Sequence, residues 1–186
     1  EARPARLFVA ADGPRADRPE DLALCREVRA LVDEVDWPCE LHTLFRERNL
    51  GLQEAVPSAV DWFFDHVEAG IVLEDDCLPA AAFYPFAGAI LERYADVPRV
   101  MHVSGLNMRP ERRFGPDSYF FAGAGHIWGW ATWRRAWRLR DASLRDWPAL
   151  RHEFGRAAPP LRRALGRKFA SAYAGRKFSW TRTWYY

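Results

Sequence analysis

The sequence is short of cysteine, lysine and long apolar runs, and each shortage excludes something. Three cysteines (Cys25, Cys39 and Cys77) are odd in number and show no C-x-x-C spacing. That argues against a disulfide framework or a thiolate metal knuckle and fits buried, reduced thiols in a cytosolic protein. No apolar stretch approaches the roughly 18 residues of a membrane span, and the N-terminus lacks a signal-peptide pattern. A cytoplasmic chain, with membrane contact at most peripheral, is therefore expected. Only two of the 27 basic residues are lysines. No recognised nucleic-acid motif accompanies the arginines, so a nucleic-acid partner is not expected. Internal repeats and low-complexity segments are also missing.

What is present is a core-forming chain. Of the 186 residues 49% are hydrophobic and 15% aromatic, with nine tryptophans, enough for one domain with a substantial core. The net charge of +2 hides an asymmetry: residues 1–133 carry 13 Lys/Arg against 22 Asp/Glu, and residues 134–186 carry 14 against 3. A basic C-terminal third can meet a diphosphate, an anionic membrane surface or an acidic neighbour, or can simply be a solvated helical face.

Taken in order, Arg6–Ala11 reads as a buried strand stopped by the turn Asp12-Gly13-Pro14. A helix opens at Pro19-Glu20-Asp21, with Leu24, Val28, Leu31 and Val35 as its apolar stripe. Cys39–Phe45 is a second strand. The next helix carries Leu52, Val56, Val60, Phe63 and Val67 on one face, with Pro57 expected to bend it or limit its first turn. Gly70–Leu73 is a third strand, Phe83–Tyr94 a helix and Arg99–Ser104 a fourth strand. This alternation predicts a mostly parallel, doubly wound α/β sheet flanked by helices. Beyond Asn107 lies a Gly-, Pro- and aromatic-rich region in which Tyr119–Phe121 could form a short strand. Helical signals return at 131–140, 146–155 and 160–174.

The stretch that organises the chain is Gly70-Ile71-Val72-Leu73-Glu74-Asp75-Asp76. A short apolar strand running into three carboxylates must bring them out at its carboxyl end, because buried like charges repel and lose hydration. That edge is where open α/β sheets bind ligands, and oxygen donors there suit a hard divalent cation that also holds phosphate oxygens. A strand capped by a solvated acidic turn is the plain alternative.

A hydrophobic strand ending Glu74-Asp75-Asp76 resembles the metal-binding acidic motif of GT-A fold glycosyltransferases. The closest likeness is to inverting enzymes of the N-acetylglucosaminyltransferase I type and to bacterial nucleotide-diphospho-sugar transferases. Three other stretches share it: Phe8–Gly13, Ser104-Gly105-Leu106-Asn107 and His126–Trp133. The resemblance implies a GT-A-like, Rossmann-like domain over residues 1–186, with a nucleotide-sugar-binding half at 1–106 and a helical, aromatic-rich acceptor-side half at 107–186. The family usually extends further at both ends, so the chain is expected to be truncated there.

The resemblance also implies roles. Asp76 is expected to bind Mn²⁺ or Mg²⁺ bridging the donor diphosphate, Asp75 to meet the ribose hydroxyls, and Glu74 to support the site or the sugar. Asp12 is expected near the nucleotide base, where a carboxylate can accept the uracil N–H; a locally bonded turn aspartate is the other reading. Asn49 and Gly51 either line the same pocket or cap the next helix. His126, Trp128 and Trp130 are placed on the acceptor side, although tryptophans are often core. The donor is a nucleotide sugar, with a uridine diphosphate sugar favoured, and the acceptor a glycan, lipid or protein hydroxyl. The expected function is inverting sugar transfer, with peripheral membrane contact through the basic C-terminal third. The alternatives are a catalytically impaired sugar-nucleotide-binding domain and a sugar nucleotidyltransferase, which would want an N-terminal Gly-rich basic loop. Such a transfer needs a base, and the position where the resembling enzymes carry an acid holds Thr181. Asp141, Asp146 and Glu153 are the acids after position 133, and poor transfer is expected unless one of them serves.

Overall fold

The computed structural model describes residues 2–176 and 179–186. The chain is a mixed α/β protein of two compact units, Glu1–His66 and Val67–Tyr186. The boundary at 106 expected from the sequence falls inside the second unit.

The first unit is strand β1 (Arg6–Ala11), helix α1 (Asp21–Ala30), strand β2 (Glu40–Phe45) and helix α2 (Leu52–His66). β1 and β2 pair in parallel from Arg6 opposite Glu40 to Ala11 opposite Phe45, with α1 as the crossover. α2 buries Val60 and Phe64 and runs through Pro57 without ending. α1 departs from its apolar stripe: Leu24, Val28 and Leu31 are each more than half exposed. The covered face carries Asp21, Cys25 and Arg29. Arg29 donates to the backbone oxygens of Asp12 (3.2 Å) and Arg46 (2.5 Å) and lies over the Phe45 ring. Carbonyls left free where the strands end need donors, and that need sets the rotation of the helix.

The second unit holds strand β3 (Ala69–Val72), helix α3 (Phe83–Arg93), strands β4 (Val103–Ser104) and β5 (Trp130–Trp133), and helices α4 (Arg134–Trp137), α5 (Trp147–Leu150), α6 (Pro160–Tyr173) and α7 (Trp180–Trp184). The expected mostly parallel sheet is corrected here: the order is β3-β5-β4, and β5 runs antiparallel to both neighbours. Residues 130–133 form this central strand rather than the start of a helix, and Tyr119–Phe121 is not a strand. β5 is buried along its whole length. Around it, Trp130 meets Trp137, Trp180 and Trp184 with ring centroids 5.8–6.2 Å apart. Such large rings supply much of this unit's buried apolar area. A second cluster of Leu144, Trp147, Phe169 and Ala172 joins α5 to α6.

Several arginines of the basic C-terminal third are internal fasteners. Arg134 pairs with Glu68 and donates to the Val67 carbonyl (3.1 Å). Arg135 lies over the Trp133 ring and gathers the carbonyls of Tyr94, Ala95, Val97 and Val100 at 2.7–3.1 Å. It thereby closes the carboxyl end of α3, where free carbonyls favour a cation. No helix among the described residues is long and apolar enough to cross a membrane.

Candidate functional site

Register brings three distant stretches to one end of the second sheet. Val72 of β3 and Ser104 of β4 both stand opposite Trp130, the first residue of β5. Immediately beyond lie Leu73-Glu74, Gly105-Leu106 and Trp128-Gly129. Gly105 N–H donates to the Gly129 carbonyl at 2.8 Å. A Cβ at Gly105 would come within 2.7 Å of the Phe83 ring and 2.9 Å of that carbonyl, so the approach requires glycine. The Ser104 hydroxyl adds a tie, accepting from the backbone N–H of Leu106 (3.3 Å) and of His126 (3.2 Å).

The acidic triplet leaves β3 as a turn closed by Cys77 N–H to the Glu74 carbonyl at 3.0 Å. Asp75 and Asp76 occupy its exposed tip, whereas Glu74 is half-buried and its Oε1 has no hydrogen-bond partner. Burial, reinforced by the charges of Asp76 and Asp75, pushes the Glu74 carboxyl above its usual range. Burial likewise pushes the Tyr185 phenol up to about 12, with the Glu74 charge adding to the effect.

Against this edge lies a cleft of about 1330 Å³, walled by Asp76, Ser104–Asn107, His126, Trp128, the inward side of α3 and the loop from 108 to 125. Its carboxylates are Asp76 and Asp117. The His126 and Trp128 rings stack with an 11° interplanar angle, and Trp128 is 55% exposed, so an apolar and partly aromatic surface faces the space.

His102 also lines the cleft, and nothing in the sequence singles it out. Its Nε2 lies 2.9 Å from the His126 carbonyl, and Trp184 Nε1–H donates to its Nδ1 at 3.1 Å. A carbonyl only accepts and an indole N–H only donates, so the ring is neutral with its proton on Nε2. Burial lowers its pKa to about 4, opposed by the hydrogen bond to the His126 carbonyl. The ring also stacks on Trp130, and a Cβ at Gly125 would run into it. A histidine just ahead of a two-residue strand, between Met101 and Val103, carries no local pattern that announces such a role.

The residues predicted from sequence are shared between the two units. Glu74, Asp75, Asp76, His126 and Trp128 meet at the edge just described. Trp130 does not join them: it is 0% exposed and belongs to the core. Asp12 and Asn49 lie in the first unit. The Asp12 carboxylate accepts the N–H groups of Gly13 (2.9 Å), Leu50 (2.9 Å) and Gly51 (3.0 Å), and Asn49 Nδ2 donates to the Gly13 carbonyl at 3.0 Å. These are the local bonds of a loop entering α2, with the Asp12 carboxylate engaged by the backbone just before the helix begins at Leu52. A smaller pocket of about 280 Å³ beside Asp12 is lined by alanines, Leu44, Arg46, Leu52 and Val56.

Among the acids considered for base work, Asp141 accepts from Ser143 Oγ (2.6 Å), Ser143 N–H and Arg145 N–H, which hold it below the usual carboxylate range. Asp146 precedes α5 and Glu153 pairs with Arg162 at 3.3 Å. Thr181 Oγ1 lies 2.8 Å from Ser179 Oγ. None of these four lines the cleft, whose C-terminal contribution is Trp184, Tyr185 and Tyr186.

The donor set at the strand end is all oxygen, and the unpartnered Glu74 Oε1 is an acceptor without a donor. Among the described residues no group of three or more His, Cys, Asp or Glu side chains is arranged to hold a metal by itself. One or two carboxylates completed by phosphate oxygens and water is the arrangement that Mg²⁺ and similar hard cations accept, so the residues fit such an ion when a diphosphate accompanies it. Comparison with family models, curated proteins and solved structures gives no match.

Proposed function

We propose that the protein is a metal-dependent glycosyltransferase of the GT-A type that takes a nucleotide-diphosphate sugar, with a uridine diphosphate sugar favoured, and passes the sugar to an acceptor hydroxyl with inversion. The observation that carries this reading is the meeting, at one sheet edge, of the acidic turn 74–76, the Ser104–Asn107 stretch and the His126–Gly129 stretch around a cleft large enough for a sugar and its diphosphate. A cation bound there would neutralise charge on the departing diphosphate. Asp76, at the exposed tip, is assigned to that cation, with Asp75 beside it toward the ribose. Glu74, partly withdrawn from water, supports the turn from which Asp76 reaches the cleft. Trp128 offers an indole face on which a sugar ring can stack. No role in this cleft is assigned to Asp12 or Asn49.

Proton acceptance from the acceptor hydroxyl falls to a group on the cleft wall, where Asp117 and His126 are the available bases beside the metal-assigned Asp76. The second reading, a sugar-nucleotide-binding domain with little transfer, is favoured by the absence of Thr181, Asp141, Asp146 and Glu153 from that wall. Nucleotide release from uridine diphosphate sugars, measured with and without Mn²⁺ and with and without simple sugar acceptors, separates them. Metal-dependent release that rises with acceptor supports transfer. Donor binding without release supports the binding domain, and no donor binding at all refutes both.

A further inference from the structure

The loop between β4 and β5 presents an unusual surface. Six large apolar side chains around the cleft mouth are exposed: Leu78, Met108, Phe114, Phe120, Phe121 and Trp128, with Phe121 at 67% and Leu78 at 99%. Arg99, Arg109, Arg112 and Arg113 line the same cleft and form no ion pair among the described residues. This contrasts with Arg134 and Arg135, whose guanidinium groups are spent on Glu68 and on backbone carbonyls. The Arg112 guanidinium lies 5.0 Å from the Phe114 ring centre, and Phe114 stacks on Phe120 at 4.2 Å. Tyr119 anchors the same segment to α3, its hydroxyl 2.6 Å from that of Tyr94. The loop is thus fastened on one side, while aromatic rings and guanidinium groups face outward together.

Large apolar side chains gathered in the open around one cleft mark an interaction site, and the charge among them selects the partner. Aromatic side chains interleaved with cations match the boundary between lipid headgroups and acyl chains, where rings settle at headgroup level and arginines meet anionic headgroups. A purely apolar protein partner would leave the four guanidinium groups unmatched, and a soluble anion would leave the rings in water. We propose that this loop docks on an anionic lipid surface, with the arginines on headgroup phosphates and Phe114, Phe120 and Phe121 in the interfacial layer. The carboxylates nearby are Asp75 and Asp76 at the tip of the acidic turn, Asp117 on the cleft and Glu111 in the loop; they offset attraction at the turn, while the loop itself keeps three arginines against two acids. This docking does not depend on the glycosyltransferase reading.

The test is sedimentation of the whole chain with vesicles of phosphatidylcholine alone or mixed with phosphatidylglycerol, without donor or metal. Binding is expected to the mixed vesicles only and to fall at high salt. At about fivefold per interfacial arginine, R109Q/R112Q/R113Q should lower partitioning roughly 100-fold. F120S/F121S should lower it about tenfold or more through lost apolar contact. Arg138→Gln, an exposed arginine of the C-terminal third, should leave it unchanged. Thermal unfolding of each variant checks that loss of binding is not loss of fold, and these exposed positions should melt as the parent does. The proposal is overturned by equal binding to both vesicle types, by no binding to either, or by folded loop variants that bind like the parent. Displacement from vesicles by inorganic phosphate at matched ionic strength would also overturn it, assigning the arginines to a free anion. Any of these failures leaves the donor site untouched, because nothing in the assay engages it.

Discussion

Acidification should unfasten the His102 wall of the cleft, and the size of the effect can be worked out. In the folded chain the imidazole is neutral, donating from Nε2 to the His126 carbonyl and accepting at Nδ1 from Trp184. A second proton would have to go on Nδ1, where it would face the indole N–H. The folded pKa is lowered from 6.5 to about 4, so the unfolded chain takes up this proton first as pH falls. Stability is therefore complete above about 6.5, declines as pH falls from there toward 4, and the loss levels off below. The full gap corresponds to roughly 3 kcal/mol, and between about pH 7.5 and pH 4.5 the expected loss is about 2.5 kcal/mol, less where water reaches the ring. Other carboxylates titrate in the same range, so the parent is compared with His102→Gln, whose amide can donate and accept but does not ionise. Urea unfolding of both proteins at the two pH values gives four free energies. The parent should lose about 2 kcal/mol more than the variant on acidification. Equal losses would refute the neutral, half-buried imidazole and its link to Trp184.

Other outcomes follow from single contacts. Arg135→Lys should destabilise the chain by about 2–4 kcal/mol in the same urea assay, because one ammonium with three donors cannot gather four carbonyls held by a planar fork. Gly105→Ala should cost about 1–3 kcal/mol by crowding Phe83 and the Gly129 carbonyl, read as a lowered Tm. If the chain transfers sugar, Asp117→Asn or His126→Gln, whichever removes the base, should lower kcat by roughly 10²-fold or more with donor affinity unchanged. Thr181→Asp, off the cleft, should leave turnover as it was.

Local pattern carried the first half of the chain well. β1, β2, α2 and α3 stand close to where alternation and helical spacing put them, since each is a contiguous apolar signal. α1 was found but its rotation was not, because Asp21 and Arg29 answer to distant carbonyls and carboxylate-to-guanidinium bonds that no periodicity reveals. The second sheet was hidden for another reason. β5 pairs with β3 and β4 across a long Gly-, Pro- and aromatic-rich loop, and Trp130–Trp133 is a buried four-residue strand that runs directly into a helix. A short apolar run of that kind looks the same in either conformation. The acidic turn could be read because three carboxylates after an apolar strand have only one comfortable place. Asp117, one of two acids in a Gly-, Pro- and aromatic-rich loop, carries no comparable signal, and Trp130 lies in the core because an indole serves a core as readily as a ligand.

The central proposal is that Asp76 would hold a divalent cation needed for binding the donor's diphosphate. Calorimetry of a uridine diphosphate sugar against the parent chain and Asp76→Asn, each with and without Mn²⁺, addresses it directly. The substitution keeps the shape of an exposed side chain and removes its charge, so the fold should persist. The parent should bind the donor only when Mn²⁺ is present, and the variant should lose that dependence along with most of its affinity. Metal-dependent binding of equal strength by both proteins, or donor binding that is indifferent to Mn²⁺ in both, would contradict it.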